Sequence, residues 1–126
     1  MMINLTADYN ITQNIDCTNM TLTTRIGDNF NPFNGSLSGN GFKIFKFTAF
    51  NSVGLCGLIS YAKGATIKGI VFEDAIVSTS TSDVGIVCGV AENSFITNIT
   101  IKSSSDNIKN TVNGNSGRCG GRFFNF

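Results

Sequence analysis

A chain of 126 residues is the size of one ordinary domain and can bury about two thirds of the surface its unfolded form exposes. Apolar residues supply 41% and charged residues only 13%, which excludes disorder driven by charge and low hydrophobicity. Nine basic residues against eight acidic leave +1, with Lys43 and Lys46 the nearest approach to a basic cluster, so no nucleic-acid partner is expected; no apolar run nears the length of a membrane-inserted helix.

One proline, fourteen glycines and heavy use of Asn, Ser, Thr and Ile suit strands joined by tight turns. Apolar residues nowhere keep three-and-four spacing for long, so almost no helix is expected. In chain order, a first strand spans Ile3 to Ile11, and its start lacks a charged segment followed by an apolar one, so no leader is visible in this chain. Ile26-Gly27 precedes the strand-like run Phe42 to Phe47, in which Phe42, Ile44 and Phe45 are set against Lys43 and Lys46. Val53-Gly54-Leu55-Cys56-Gly57-Leu58 precedes Thr66 to Phe72. The hydroxyl run Thr79 to Ser82 reads as a loop. Val84-Gly85-Ile86-Val87-Cys88-Gly89-Val90 precedes Phe95 to Ile101, where Asn98 lies inside the strand. Ser116-Gly117-Arg118-Cys119-Gly120 leads to the aromatic ending Arg122 to Phe126.

The glycine landmarks Gly27, Gly54, Gly85 and Gly117 follow one another at 27, 31 and 32 residues. A period near thirty is the mark of stacked repeats, each pairing with its equivalent one turn later. At roughly 3.3 Å per residue such a unit has a contour near 100 Å, enough for a three-sided turn with glycines at its corners. The expectation is an all-β parallel β-solenoid, one domain over 1–126, with coils at 1–25, 26–52, 53–83 and 84–115 and a partial coil at 116–126.

Three segments carry a family resemblance: Leu5-Thr6-Ala7-Asp8-Tyr9-Asn10-Ile11, Pro32 to Ile44 with its Gly39-Asn40-Gly41 turn, and Val53-Gly54-Leu55-Cys56-Gly57-Leu58. Together they resemble the GLUG-motif repeat proteins over nearly the whole chain. The resemblance implies a right-handed parallel β-helix within a secreted or surface-attached protein. Ser38 stands where the family commonly has aspartate before the glycine-asparagine-glycine turn, and Cys56 where it has phenylalanine.

The spacing of Cys56, Cys88 and Cys119 implies that they stack, as a reduced inward ladder or as a bridge between neighbours; a column of single cysteines does not converge on a metal. Sequons at Asn4, Asn10, Asn19, Asn34 and Asn98 are candidate glycosylation sites, with turn chemistry as the competing reading. Without histidine, nucleophilic triads are closed. The scattered acids, among them Asp74 and Asp83, read as a solvated edge, with Glu73-Asp74 a surface pair, so no catalytic residue, cofactor or metal ligand is assigned. The hydroxyl run is not repeated on successive coils, as an ice-binding array requires. Phe30, Phe33, Phe42, Phe45, Phe47, Phe50, Phe72 and Phe95 are expected in the core.

Ile3, Leu5, Phe123, Phe124 and Phe126 are read as contacts for end-to-end pairing with another copy or with neighbouring repeats of a longer protein. The leading functional expectation is a structural or adhesive module at the cell exterior or surface. The alternative is a carbohydrate-binding or carbohydrate-acting module, for which only Tyr9 and Tyr61 offer the usual aromatic platforms.

Overall fold

A computed structural model describes residues 4–51, 56–79, 84–105, 110–113 and 122–124. Fourteen strands and no helix occupy the described residues: β1 (Asp8–Asn10), β2 (Ile15–Asp16), β3 (Ser36–Ser38), β4 (Lys43–Phe45), β5 (Thr48–Asn51), β6 (Ile59–Lys63), β7 (Thr66–Lys68), β8 (Val71–Glu73), β9 (Ile76–Thr79), β10 (Cys88–Glu92), β11 (Phe95–Thr97), β12 (Thr100–Lys102), β13 (Thr111–Asn113) and β14 (Arg122–Phe124). They form four sheets, ordered β1-β3-β7-β11, β2-β4-β8-β12, β5-β9-β13 and β6-β10-β14. Every strand pair among the described residues is parallel. Consecutive strands therefore visit the four sheets in turn: β3 to β6, then β7 to β10, then β11 to β14. The chain visits four sheets, not three sides, and β14 is the fourth member of the last set rather than part of a further coil.

The strands are short because the chain turns after every three to five residues. Six corners consist of two residues, the first in the left-handed region: Lys46-Phe47, Gly64-Ala65, Gly69-Ile70, Asp74-Ala75, Asn93-Ser94 and Asn98-Ile99. A left-handed residue costs an ordinary side chain about 1–2 kcal/mol, and Gly, Asn and Asp bear it best, which explains five of the six. Each turn breaks the two-residue alternation once. Side chains at Ala62, Ala65, Ile67, Ile70, Phe72, Ala75 and Val77 are all buried, stepping by three across each corner and by two along each strand. The Gly39-Asn40-Gly41 turn makes a longer corner between β3 and β4, with Asn40 at φ 54° and Gly41 at φ 81°. Backbone pairing continues round the corners. The Ile70 carbonyl accepts from Thr100 N–H at 3.0 Å, and the Phe47 carbonyl from Ile76 N–H at 2.8 Å.

Inward residues of all four sheets join one hydrophobic cluster: Ile67 from the first, Ile44 and Phe72 from the second, Ala49 and Val77 from the third, Ile59, Ala62, Cys88 and Ala91 from the fourth. Phe72 packs on Phe47 with ring centroids 6.0 Å apart. Full burial of such side chains is worth about 1.5–3 kcal/mol each, which makes this cluster the main stabilising feature.

The structure corrects several expectations. Thr66 to Phe72 and Phe95 to Ile101 are each two strands on different sheets, because Gly69 and Asn98 turn the chain at their midpoints. Thr79 is not a loop residue; it ends β9 and is buried. Of the eight core phenylalanines expected, Phe33, Phe47 and Phe72 are buried, Phe42 and Phe45 half-buried, and Phe30, Phe50 and Phe95 exposed. Phe50 and Phe95 occupy outward positions of β5 and β11. Phe30 sits in a tight turn where the Asp28 carboxylate accepts the N–H groups of Phe30 and Asn31, both at 2.8 Å. The acids Glu73 and Asp74 are buried, not a surface pair: Glu73 meets Lys43 and Lys102 on the neighbouring strands, and Asp74 meets Ser104 just past β12.

The stacking period also differs from the landmark spacing. Ladder neighbours lie 28, 30 and 29 residues apart along Asp8, Ser36, Thr66 and Phe95. Cys56 consequently bridges to Val84, and Cys88 lies beside Ile59, so the expected pairing of Cys56 with Cys88 is not formed. The motif carries two glycines, and Gly57 packs on the Gly85 carbonyl, whereas the spacing of 31 sets Gly54 against Gly85. Gly27 has φ 86° and is buried; Gly85 is not among the left-handed residues. Gly54, Gly117 and Cys119 lie outside the described residues.

Candidate functional site

The parallel ladders turn sequence spacing into columns on the outer surface. In the second sheet one outward column runs Asp16, Phe45, Glu73, Lys102. Glu73 takes Lys43 Nζ at 3.2 Å and Lys102 Nζ at 3.8 Å. The Phe45 ring has two ammonium groups over it, Lys43 at 5.7 Å and Lys46 at 5.4 Å. Asp16, on edge strand β2, accepts the Thr18 hydroxyl and N–H, and these bonds hold its carboxyl below the ordinary range.

Other acids are engaged in the same way. Glu92 accepts the Tyr61 hydroxyl at 2.9 Å and lies 3.6 Å from Lys63 Nζ, the residue beside it in the ladder. Asp8 accepts the Ser36 hydroxyl at 2.7 Å, again from its ladder neighbour. Asp74, at a left-handed corner, accepts both the hydroxyl and the N–H of Ser104, and its carboxyl is lowered by them in that order. These carboxylates stitch neighbouring strands together. Among the described residues no three His, Cys, Asp or Glu side chains are grouped to hold a metal.

The inward columns end differently. In the first sheet the column is Tyr9, Leu37, Ile67, Ile96, and in the second Ile15, Ile44, Phe72, Ile101. Ile67 and Phe72 are fully buried, but Tyr9 and Ile15, on edge strands β1 and β2, point inward while remaining 36% and 40% exposed. Beneath them is a cavity of about 220 Å³, lined by Tyr9, Ile11, Ile15, Ile26, Phe33, Leu37, Ile44, Leu58 and Ile59. Only Tyr9 brings a polar atom, and its hydroxyl donates instead to the Asn4 carbonyl at 2.9 Å. Nothing in this lining can bind a charge or activate water, so its chemistry is that of apolar contact.

The sequence-assigned residues are dispersed. Leu5 is half-buried and packs against the core. Phe123 and Phe124 lie in β14 beside Ala91 and Glu92, while Ile3 and Phe126 fall outside the described residues. The sequon residues Asn4, Asn10, Asn19, Asn34 and Asn98 are all exposed, and Asn98 is at a corner rather than inside a strand. Cys88 carries a free thiol whose pKa burial pushes up to about 12. Sequence reasoning missed the column from Asp16 to Lys102 and the cavity under Tyr9 and Ile15. The signal was present as steps of 29, 28 and 29 residues, but was masked by the glycine spacing of 31.

Comparison with family models, with curated proteins and with solved structures finds no match to this chain.

Proposed function

We propose that the chain is a structural β-solenoid module, a right-handed parallel β-helix resembling the GLUG-motif repeats. It belongs to an extracellular or surface protein, presents its outer faces for adhesion and assembles end to end into a filament. The observation that carries this reading is the composition of the sheet edges. The first two sheets end on β1 and β2 at one side and on β11 and β12 at the other, all parallel to their neighbours, with apolar inward residues at both. Edge strands offer unpaired N–H and C=O groups, and a parallel stack can be extended by the next strand of the same kind. The acids support the same reading, since Asp8, Glu73 and Glu92 engage side chains on neighbouring strands and Asp16 and Asp28 close local turns, rather than gathering in a cleft. Electron microscopy with sedimentation of the purified chain tests it. Filaments or a concentration-dependent ladder of oligomers are expected, and a well-behaved monomer at high concentration would overturn the assembly role.

A further inference from the structure

Resting on that reading, we propose a specific junction: β1 and β2 of one copy receive β11 and β12 of a second copy, in parallel and in the register used inside the molecule. Continuing the ladders by one step sets Tyr9 beside Ile96 of the second copy, Ile15 beside its Ile101, and Asp16 beside its Lys102.

Three observations favour a second copy as the occupant. The inward side chains Tyr9 and Ile15 are exposed over an apolar cavity of about 220 Å³, and the opposite edge carries half-buried Ile96 and Ile101 in the same two columns, so hydrocarbon on one edge meets hydrocarbon on the other. The outward column of the second sheet begins with an acid and ends with a base, so the next step in the same direction pairs opposite charges, whereas joining two like edges would set Asp16 against Asp16 or Lys102 against Lys102. Both edges lie in sheets whose pairs are all parallel, which a head-to-tail contact preserves. Such a contact does not close on itself and therefore propagates into a filament.

The test uses the full chain with two charge reversals, Asp16→Lys and Lys102→Asp, alone and mixed. An exposed ion pair is weak, so changing attraction to repulsion weakens each junction about fivefold. Each variant alone should form shorter assemblies by sedimentation. An equimolar mixture should restore wild-type length, because the base introduced in the first variant meets the acid introduced in the second, and the remaining junctions keep the native pair. Mixing cannot repair a fold damaged by either change, so restoration separates the junction from loss of structure. Assembly of the wild type that survives both reversals, or fails to return on mixing, would overturn this register while leaving end-to-end assembly standing. A monomeric wild type whose cavity binds an alkyl probe such as decanol would overturn both.

Discussion

The carboxylate of Asp74 closes on Ser104, thirty residues further along the chain: one oxygen accepts the Ser104 N–H at 2.9 Å and the other its hydroxyl at 2.7 Å. The Asp74 N–H in turn donates to the Lys102 carbonyl at 3.1 Å, and the residue holds a left-handed corner at φ 57°. Two demands thus fall on one side chain, and substitutions separate them. Asp74→Gly keeps the backbone freedom and loses both bonds to Ser104. Asp74→Asn tolerates the corner and keeps one acceptor. Asp74→Val loses everything and adds a β-branched residue where φ is positive. Thermal midpoints should fall in the order wild type, Asn, Gly, Val; equal midpoints for Gly and wild type would show that the bonds to Ser104 contribute nothing.

Acid should unfold the protein through its turn carboxylates. Asp16 is lowered by the Thr18 hydroxyl and then its N–H, Asp28 by the N–H groups of Asn31 and Phe30, and Asp74 by Ser104, each from an ordinary value of 3.8. A carboxyl whose folded pKa lies below its unfolded one binds fewer protons when folded. Its stabilisation is present in full above the unfolded value and is lost as pH falls through the folded one. Denaturant midpoints should be flat above about pH 5 and decline below about pH 4. Asp28→Asn should shallow that decline, and an unchanged acid limb would remove Asp28 from the account.

Core and surface phenylalanines should separate cleanly. Phe72 is fully buried, flanked in its column by Ile44 and Ile101, so Phe72→Ala should cost about 3–5 kcal/mol. Phe95 is 72% exposed on β11, so Phe95→Ala should stay within about 0.5 kcal/mol. Chemical denaturation of the two variants measures both, and comparable losses would mean the inward assignment of Phe72 is wrong.

The left-handed corner residues Asn40, Gly69 and Asn98 predict which residues such a position accepts. Gly69 has φ 71°, and Asn holds the equivalent conformation at 54° and 55° in the corners before and after it. A Cβ at position 69 would stand 3.3 Å from the Asn40 backbone nitrogen, so both changes meet a tight contact, but Gly69→Asn should cost less than Gly69→Ala, for which the left-handed backbone alone costs about 1–2 kcal/mol. Equal losses for the two would show that space, not backbone conformation, limits the site.

Burial also sets thiol chemistry. Cys88 is fully buried with its pKa pushed up to about 12, so almost no thiolate exists near neutral pH. Iodoacetamide should label Cys88 only after unfolding, read peptide by peptide in the mass spectrometer. Labelling of the folded protein at the rate of the denatured one would contradict its buried position.

Much of the architecture was legible in the residues. The absence of helix among the described residues follows from apolar residues that never keep a 3.6 period, and the parallel repeat from segments that recur near thirty residues. The runs Thr66 to Phe72 and Phe95 to Ile101 are legible as strand-forming, but their division is not, because periodicity alone cannot show where a left-handed Gly69 or Asn98 bends the chain. The phenylalanines were overcounted for a related reason: aromatic character does not say which way a strand position faces. At the candidate site the charges of Asp16 and Lys102 could be read, but their membership of one column could not.

The sequence by itself determined the all-β class, the strand-forming segments and the turn residues, because these depend on local side-chain and backbone preferences. Only the tertiary structure decided the register, four sheets in place of three sides, and the neighbours of Cys56 and Cys88. Where a motif offers both Gly54 and Gly57 for the same role, local preference is nearly equal for the two. The choice falls to hydrogen bonds and buried contacts that form only when segments distant in the chain lie side by side.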